Sequence, residues 1–241
     1  MPSEPAVDDI NGHRYTIFMK YLLTSAGFTT EEIVITCENL VNKNRQDISV
    51  GIINEAYAVE QGDKRWMINE LSSIANKFGG AVDIVNLLSL SDINQQGRIE
   101  ACDMIYVVGG NTDYLNSVYR SSGFDSILTK LREDMVYVGS SAGGMVLGKR
   151  LPSKARAVLY DEQQEFGTDG YLEIFDFALV PHMNSEVFQN CTQDIVCDEL
   201  QGFDEVAYCL NDAQAIAIDG GDISFIGGVP LIIRNGEAIN P

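Results

Sequence analysis

The chain has 241 residues, with 16 Lys or Arg against 35 Asp or Glu, and its formal net charge at pH 7 is −19. Nucleic acid and anionic membrane surfaces are excluded as expected partners because both need clustered Lys and Arg, which the sequence lacks. No apolar run approaches the roughly 18–20 residues of a membrane span, and the N-terminus lacks the apolar region of a signal peptide. The five cysteines form no CxxC pair, which favours free thiols in a reducing cytoplasm.

The first 18 residues are expected to lie outside the folded domain. At Met19 the sequence changes to MKYLLTSAGFTTEEIV, a pattern that predicts a strand, a glycine turn and a helix. We therefore interpret residues 1–18 as an N-terminal extension or a cloning remnant. No repeat or low-complexity linker interrupts residues 19–241, which we expect to form a single domain.

Strands and helices alternate through the first part of this domain. Short, continuous apolar runs bounded by turn residues predict strands buried on both faces. They cover residues 21–25, 48–54, 81–87, 104–110 and 135–140, and helices are predicted over 63–79, 112–123 and 124–134. This alternation predicts an α/β fold with a mostly parallel sheet between two layers of helices.

After residue 150 the pattern changes. Strands are predicted over 155–160, 174–180, 205–210, 213–218, 222–227 and 230–234, and one helix over 185–200. The turn signals DGGD and IGGVP separate the last strands, so we expect hairpins that complete the far edge of the sheet.

The stretch MVYVGSSAGGMVLGKR, residues 135–150, carries the strongest catalytic signal. Gly139 to Gly143 match the G-x-S-x-G pattern between a predicted strand and a predicted helix. In this context the central serine is held on a sharp turn, where small neighbours let a substrate approach. Ser141 is therefore the candidate nucleophile, with an inert Gly/Ser-rich turn as the alternative reading.

A serine nucleophile needs a base, and the chain has two histidines. His13 lies in the extension, whereas His182 follows a predicted strand at its carboxyl end, where the ligands of open α/β sheets gather. His182 is the candidate base. One usable histidine and no paired cysteines make a metal site a poor hypothesis.

A third residue, a carboxylate, is expected to orient the imidazole. Asp212 lies between two predicted strands at a sheet end, but spacing alone does not separate it from Asp161, Glu162, Asp169 and Asp176.

A second glycine-rich turn follows the predicted strand 104–110. Gly109, Gly110 and Asn111 precede a predicted helix, with Thr112 as its expected N-cap. Their backbone amides are candidates for an oxyanion donor or a phosphate cradle, although the sequence is neither a P-loop nor G-x-G-x-x-G. The alternative is a structural strand-to-helix turn.

Three motifs in order, VVGGNTDYL, GSSAGG and VPHMNS, resemble the dipeptidase E family of serine peptidases (peptidase family S51), which also contains cyanophycinases. The resemblance runs from about Met19 to the C-terminus. It implies a flavodoxin-like, three-layer α/β/α fold related to class I glutamine amidotransferases, with serine in place of cysteine. Family members form monomers or dimers, so a homodimer is possible.

Matched position by position, this resemblance implies roles for individual residues. Ser141 matches the nucleophile, His182 the base and Asp212, in LNDAQ, the triad carboxylate, where the family has glutamate. The Gly110 and Ala142 amides match the oxyanion donors. Asp161 or Glu162 is the nearest match to a further acidic residue of the family.

One departure concerns the substrate. The best-known members cleave dipeptides with N-terminal aspartate and use a basic residue on the helix after the histidine. Here that predicted helix, SEVFQNCTQDIVCDELQG, has no Lys or Arg. A substrate aspartate is expected instead to meet its acidic residues Glu186, Asp194, Asp198 and Glu199, so aspartyl specificity does not carry over.

The leading hypothesis is a cytoplasmic serine exopeptidase, a dipeptidase of small peptides that needs no cofactor or metal. Two alternatives are a serine hydrolase of the α/β-hydrolase type and a non-catalytic flavodoxin-like binding protein. The first usually has far more than the 41 residues that separate Ser141 from His182. The second predicts an unreactive Ser141.

Overall fold

The structure, a computed structural model, describes residues 6–8, 14–16, 19–162, 166–167 and 170–239. The strands are β1 (Ala6–Asp8), β2 (Arg14–Thr16), β3 (Lys20–Thr24), β4 (Val50–Ile53), β5 (Val82–Ile84), β6 (Met104–Val107), β7 (Val136–Ser140), β8 (Phe177–Val180), β9 (Val206–Cys209), β10 (Ala215–Asp219), β11 (Asp222–Ile226), β12 (Leu231–Arg234) and β13 (Glu237–Ile239). The α-helices are α1 (Glu31–Val41), α2 (Arg65–Lys77), α3 (Asp92–Glu100), α4 (Thr112–Ser122), α5 (Phe124–Leu128), α6 (Ala142–Met145), α7 (Ser153–Tyr160) and α8 (Gln193–Glu199).

A seven-stranded sheet in the order β11-β10-β3-β7-β6-β4-β5 forms the centre of the domain. Five neighbouring strands of this order, β3, β7, β6, β4 and β5, are parallel, and β10 and β11 add an antiparallel hairpin at one edge. Parallel strands share one carboxyl edge, so the turns after β3, β6 and β7 meet there. The predicted mostly parallel sheet is confirmed.

The central strands are buried on both faces. In β3, Leu22 contributes to a cluster with the apolar side chains of α1 and α2, while Leu23 contributes to a second cluster with α4 and α5. In β6, Tyr106 belongs to the cluster of α1 and α2, and Val107 belongs to the cluster of α4 and α5. Alternate side chains point to opposite faces of a strand, so these continuous apolar runs hold a helix layer on each side. The flavodoxin-like α/β/α architecture expected from the sequence is therefore confirmed.

A second sheet, in the order β13-β12-β9-β8, corrects the prediction that all the late strands extend the main sheet. Only β10 and β11 join the main sheet, as a hairpin. In the second sheet β8 and β9 are parallel, and their buried residues join the α4 side of the core. The pairing of β8 with β9 brings the segments after both strands side by side, and these segments carry His182 and Asp212.

Two predicted elements are wrong. Residues 155–160 form helix α7 rather than a strand, and its buried Ala155, Arg156 and Leu159 follow helical spacing. The predicted helix 185–200 shortens to α8, because Asn184 takes a left-handed conformation (φ 57°) and its amide bonds the Cys191 carbonyl at 2.7 Å. The intervening segment is a loop against His182.

Three other boundaries shift. The predicted helix 124–134 ends at Leu128, and the chain then turns back into β7. The predicted strand 81–87 is the short edge strand β5, which leaves Val82 39% and Ile84 49% exposed rather than buried. The N-cap of α4 is Asn111 rather than Thr112, since the Asn111 side chain accepts from the Tyr114 amide at 2.8 Å.

Within the described part of the chain, no helix has the length and apolar character needed to cross a membrane. All five cysteines are free, and four of them are buried.

Candidate active site

Ser141 lies on a strained turn between β7 and α6. Its backbone has φ 49° and ψ −113°, outside the regions that ordinary residues adopt, and it opens helix α6. A Cβ at Gly139 would lie 2.6 Å from the Gly143 backbone, and a Cβ at Gly143 would lie 2.5 Å from the Val107 carbonyl oxygen. The two glycines of G-x-S-x-G therefore permit close packing that holds the serine at the carboxyl edge of the sheet.

His182 contacts both Ser141 and Asp212. It follows β8 with a left-handed backbone (φ 66°), and its Nε2 lies 3.0 Å from Ser141 Oγ. Its Nδ1 lies 2.8 Å from Asp212 Oδ1. The Phe188 ring stacks on the imidazole with centroids 4.3 Å apart. When Nδ1 carries the proton it donates to Asp212, which leaves Nε2 to accept the Ser141 hydroxyl proton.

Ser25, which the sequence analysis missed, links His182 and Asp212 to the end of β3. It is fully buried directly after β3, and its Oγ accepts the His182 amide at 2.7 Å. The same hydroxyl donates to Asp212 Oδ1 at 2.8 Å. Its place at the end of a predicted central strand was the available signal, because the carboxyl ends of parallel strands converge.

Asp212 is half-exposed between β9 and β10. Burial raises the pKa of its carboxyl, but the His182 hydrogen bond and charge and the Ser25 and Ser185 hydroxyls outweigh burial and hold the pKa below its ordinary value. The group is therefore a carboxylate at neutral pH, and in that state it accepts a hydrogen bond from the protonated Nδ1 of His182.

The glycine-rich turn after β6 lies beside Ser141. A Cβ at Gly109 would approach the Ser141 Cβ at 3.2 Å, and Gly110 has φ 139°, a conformation that favours glycine. The Gly110 and Ala142 amides donate no hydrogen bond within the described residues. Asn111 is not brought into the cleft: its side chain caps α4, and its amide bonds the Ala56 carbonyl at 2.9 Å.

The other acidic candidates occupy different places. Asp161 is an exposed left-handed residue that ends α7, and Asp176 pairs with Lys149 at 3.0 Å. Asp169 lies outside the described residues, as does His13. Glu162 lines the same cleft as Ser141 but contacts neither the serine nor the histidine, and its Oε1 accepts the Thr112 amide at 2.7 Å. Of the five carboxylates considered, the structure places Asp212 against His182.

A cleft of about 590 Å³ opens over Ser141 and His182. Its apolar walls come from Phe28, Trp66, Ile74, Tyr106, Met145, Tyr160, Val187 and Phe188. The acidic residues expected to face a substrate, Glu186, Asp194, Asp198 and Glu199, do not line it. They belong to the loop and short helix that replaced the predicted long helix.

The acidic groups of the cleft come from other elements, and sequence reasoning missed two of them. Glu60 and Glu70 line it together with Glu162. Glu70 Oε1 accepts the Tyr106 hydroxyl at 2.6 Å. Glu70 lies in the predicted helix 63–79 and Glu60 lies just before it, so no sequence signal separates either residue from solvated surface residues. Within the described residues, no three His, Cys, Asp or Glu side chains form a potential metal site.

Solved structures share this fold. A candidate peptidase E protein from Listeria monocytogenes matches with a TM-score of 0.68 at 23% identity, over 86% of this chain and 97% of that one. A peptidase from an acI-B1 actinobacterium matches with a TM-score of 0.64 at 16% identity, over 92% of this chain and 96% of that one.

Curated relatives are similar in sequence over part of their length. An uncharacterized peptidase of Listeria monocytogenes is 32% identical over 130 residues, 52% of this chain and 61% of that protein. One from Listeria innocua is 31% identical over 40% of this chain and 46% of its own length. One from Pasteurella multocida is 24% identical over 64% of this chain and 73% of its own length. The alignments thus span about half to three quarters of these relatives.

The chain combines a flavodoxin-like α/β/α domain with a serine on a strained strand-to-helix turn. The sequence profile of peptidase family S51 matches residues 22–226, and the chain belongs to that family.

Proposed function

We propose that this peptidase is an exopeptidase of small peptides, a dipeptidase, that acts through Ser141, His182 and Asp212. One observation carries the proposal: His182 lies within hydrogen-bond distance of both other side chains, 3.0 Å from Ser141 Oγ and 2.8 Å from Asp212 Oδ1. A nucleophile, a base and an orienting carboxylate in this contact order are the parts that serine acyl transfer requires.

The acylation step follows from these contacts. Ser141 Oγ attacks the scissile carbonyl carbon while His182 Nε2 takes its proton, and Asp212 stabilises the imidazolium. The carbonyl oxygen becomes an oxyanion, for which we assign the Gly110 and Ala142 amides as donors. The C–N bond then breaks, and the imidazolium gives its proton to the leaving amine.

In deacylation, water replaces Ser141 as the nucleophile and Ser141 becomes the leaving group. Water attacks the acyl-enzyme carbonyl as His182 takes its proton, and the imidazolium returns that proton to Ser141 Oγ as the ester bond breaks. A cleft of about 590 Å³ over the serine is of a size that fits a short peptide, which supports an exopeptidase over an enzyme that cleaves within folded chains.

Hydrolysis of a dipeptide library by wild type and Ser141→Ala tests the proposal. We expect turnover by the wild type and a loss of several orders of magnitude in the variant. A fluorophosphonate probe should label the wild type and neither Ser141→Ala nor His182→Ala. Dipeptide turnover that survives in Ser141→Ala would contradict the assigned nucleophile, and an unlabelled, inactive wild type would favour the binding protein.

A further inference from the structure

The charged side chains of the cleft are all acidic apart from the catalytic histidine. We call Glu60, Glu70 and Glu162 the acidic wall. Among the described residues that line the cleft there is no Lys or Arg. A cluster of carboxylates alone does not make a binding site, so the burial and the hydrogen-bond partners of each carboxylate decide what the wall can bind.

Glu162 is the clearest case because one of its oxygens is buried without a hydrogen-bond donor. The side chain is 6% exposed, and Oε1 accepts the Thr112 amide at 2.7 Å. Oε2 has no hydrogen-bond partner within the described residues. Arg156 Nη1 lies 3.6 Å from it, beyond hydrogen-bond distance, and lies closer, at 2.7 Å, to Asp113. A buried carboxylate oxygen in this state is a strong acceptor for a cationic donor.

The other two carboxylates have no ion pair among the described residues. Glu70 receives neutral donors, the Tyr106 and Ser140 hydroxyls. Burial raises the pKa of Glu60, Glu70 and Glu162, in the last case to about 7, because desolvation outweighs the available donors and the nearby cations, Lys64 for Glu60 and Arg156 for Glu162. A cation entering the cleft would add positive charge beside these carboxylates and favour their ionised forms.

Aromatic and aliphatic side chains surround these carboxylates. Phe28, Trp66, Tyr106 and Tyr160 line the same cleft. Such walls cover the methylene stem of a Lys or Arg side chain, and the ring faces attract its charged head. A neutral apolar side chain would bury against the same walls but bring no positive charge to the acidic wall.

Resting on the peptidase function proposed above, we propose that the cleft selects peptides whose residue on the acyl side of the scissile bond carries a cationic side chain, Lys or Arg. A peptide has one α-ammonium group, which can pair with one carboxylate of the wall. The remaining carboxylates pair with the side chain. An N-terminal aspartate would instead add a carboxylate to a cleft without a Lys or Arg to receive it.

Turnover of matched dipeptides gives the first test. Lys-Leu and norleucine-Leu differ by the side-chain ammonium, and Asp-Leu reverses the charge. We expect kcat/KM for Lys-Leu to exceed that for norleucine-Leu by about tenfold or more, since hydrogen bonds to charged groups are stronger than those between neutral groups. Asp-Leu should be the poorest of the three. Equal rates for Lys-Leu and norleucine-Leu, or a preference for Asp-Leu, would overturn the proposal.

Variants then identify the acceptors. Glu70→Gln and Glu162→Gln keep an amide oxygen for the Tyr106 hydroxyl and the Thr112 amide but remove the charge. Each should reduce the Lys-Leu to norleucine-Leu ratio severalfold, because the ratio isolates the contribution of the side-chain ammonium from that of the α-ammonium, which both substrates share. Glu32→Gln, an exposed position on α1 outside the cleft, is the matched control and should leave the ratio unchanged. Ratios unaffected by both cleft variants would refute the acidic wall as the acceptor.

Calorimetric affinities measured on Ser141→Ala separate this inference from the peptidase mechanism. Tighter binding of Lys-Leu than of norleucine-Leu, without Ser141-dependent turnover in the wild type, would support the cationic site and refute the proposed chemistry. Turnover without that preference would support the chemistry and refute the site. If Ser141→Ala binds none of the three dipeptides, the cationic site is refuted.

Discussion

The Ser25 hydroxyl joins three separate segments of the chain next to the nucleophile. It accepts from the His182 amide and donates to Asp212 Oδ1, at 2.7 and 2.8 Å. One buried side chain therefore fixes the backbone that carries the imidazole and the carboxylate that orients it. Among the described residues the Ser25 hydroxyl bonds His182, Asp212 and Leu210 but not Ser141, so we regard it as a positioning residue rather than a catalytic one.

Ser25→Ala tests this role. The variant loses the donor to Asp212 and leaves the His182 amide without its acceptor, so we expect kcat to fall by about tenfold with KM nearly unchanged. Steady-state kinetics on a dipeptide substrate measure the split. Ser25→Thr, which keeps a hydroxyl, should retain more activity than Ser25→Ala. An unchanged kcat in Ser25→Ala would contradict the positioning role.

At the scale of elements, the turn between β6 and α4 is held against the 3-10 helix Glu55–Val59. The Asn111 amide donates to the Ala56 carbonyl at 2.9 Å, and a Cβ at Gly110 would lie 2.4 Å from the same carbonyl group. The turn cannot accept a side chain at Gly110 without moving away from Ala56. Movement there would displace the Gly110 amide relative to Ser141.

Gly110→Ala is therefore expected to lower kcat by about a hundredfold or more, the usual effect of losing one oxyanion donor. The measurement is kcat for a dipeptide substrate, with circular dichroism to check that the variant is folded. Gly62→Ala, at an open glycine with a positive φ of 82°, is the control for backbone strain without packing and should keep near wild-type kcat. A folded Gly110→Ala variant with wild-type kcat would contradict the oxyanion assignment.

The predicted elements succeeded where the sequence pattern depends on local burial. Continuous apolar runs such as those of β6 and β7 are buried on both faces, and this environment leaves a readable pattern. Helix α7 was missed because AVLY at its end resembles a strand, and the pattern does not reveal that Ala155, Arg156 and Leu159 share one buried face. The Ala, Arg, Lys and Leu residues of this segment are good helix formers, so intrinsic propensity agrees with the helix and the short apolar run gave the misleading signal.

The residues of the candidate site also differ in how far the sequence predicts them. Ser141 has a local signature, and His182 stood out because the chain has only two histidines. Asp212 matched a family segment, whereas spacing alone left five carboxylates open. Ser25 meets His182 and Asp212, and Glu60 and Glu70 line the cleft, because distant segments pack together, and single-sequence patterns carry no information about that packing.

For the molecule as a whole, the burial of Glu162 makes stability depend on pH. Burial raises the pKa of this carboxyl to about 7 in the folded state. In the unfolded chain the same group titrates near its ordinary value of 4.5. Between these two pKa values the folded state binds more protons than the unfolded state, so stability falls as pH rises through this window.

We expect Glu162 to reduce the free energy of unfolding by roughly 3 kcal/mol between about pH 5 and about pH 8. Other acidic groups add their own pH dependence, so the diagnostic quantity is the difference between wild type and Glu162→Gln. Urea unfolding of both proteins across this pH range should show the wild type losing stability relative to the variant. A constant difference would contradict a raised pKa at Glu162.

The joint contribution of two sheets to the site has a consequence for the newly made chain. Ser141 follows β7 of the main sheet, whereas His182 and Asp212 follow the paired strands β8 and β9 of the second sheet. During synthesis Ser141 emerges from the ribosome before His182, and His182 before Asp212. In the proposed mechanism a nascent chain is therefore inactive until the segment after β9 has emerged and packed beside His182, so shorter nascent chains are not expected to cleave the peptides around them.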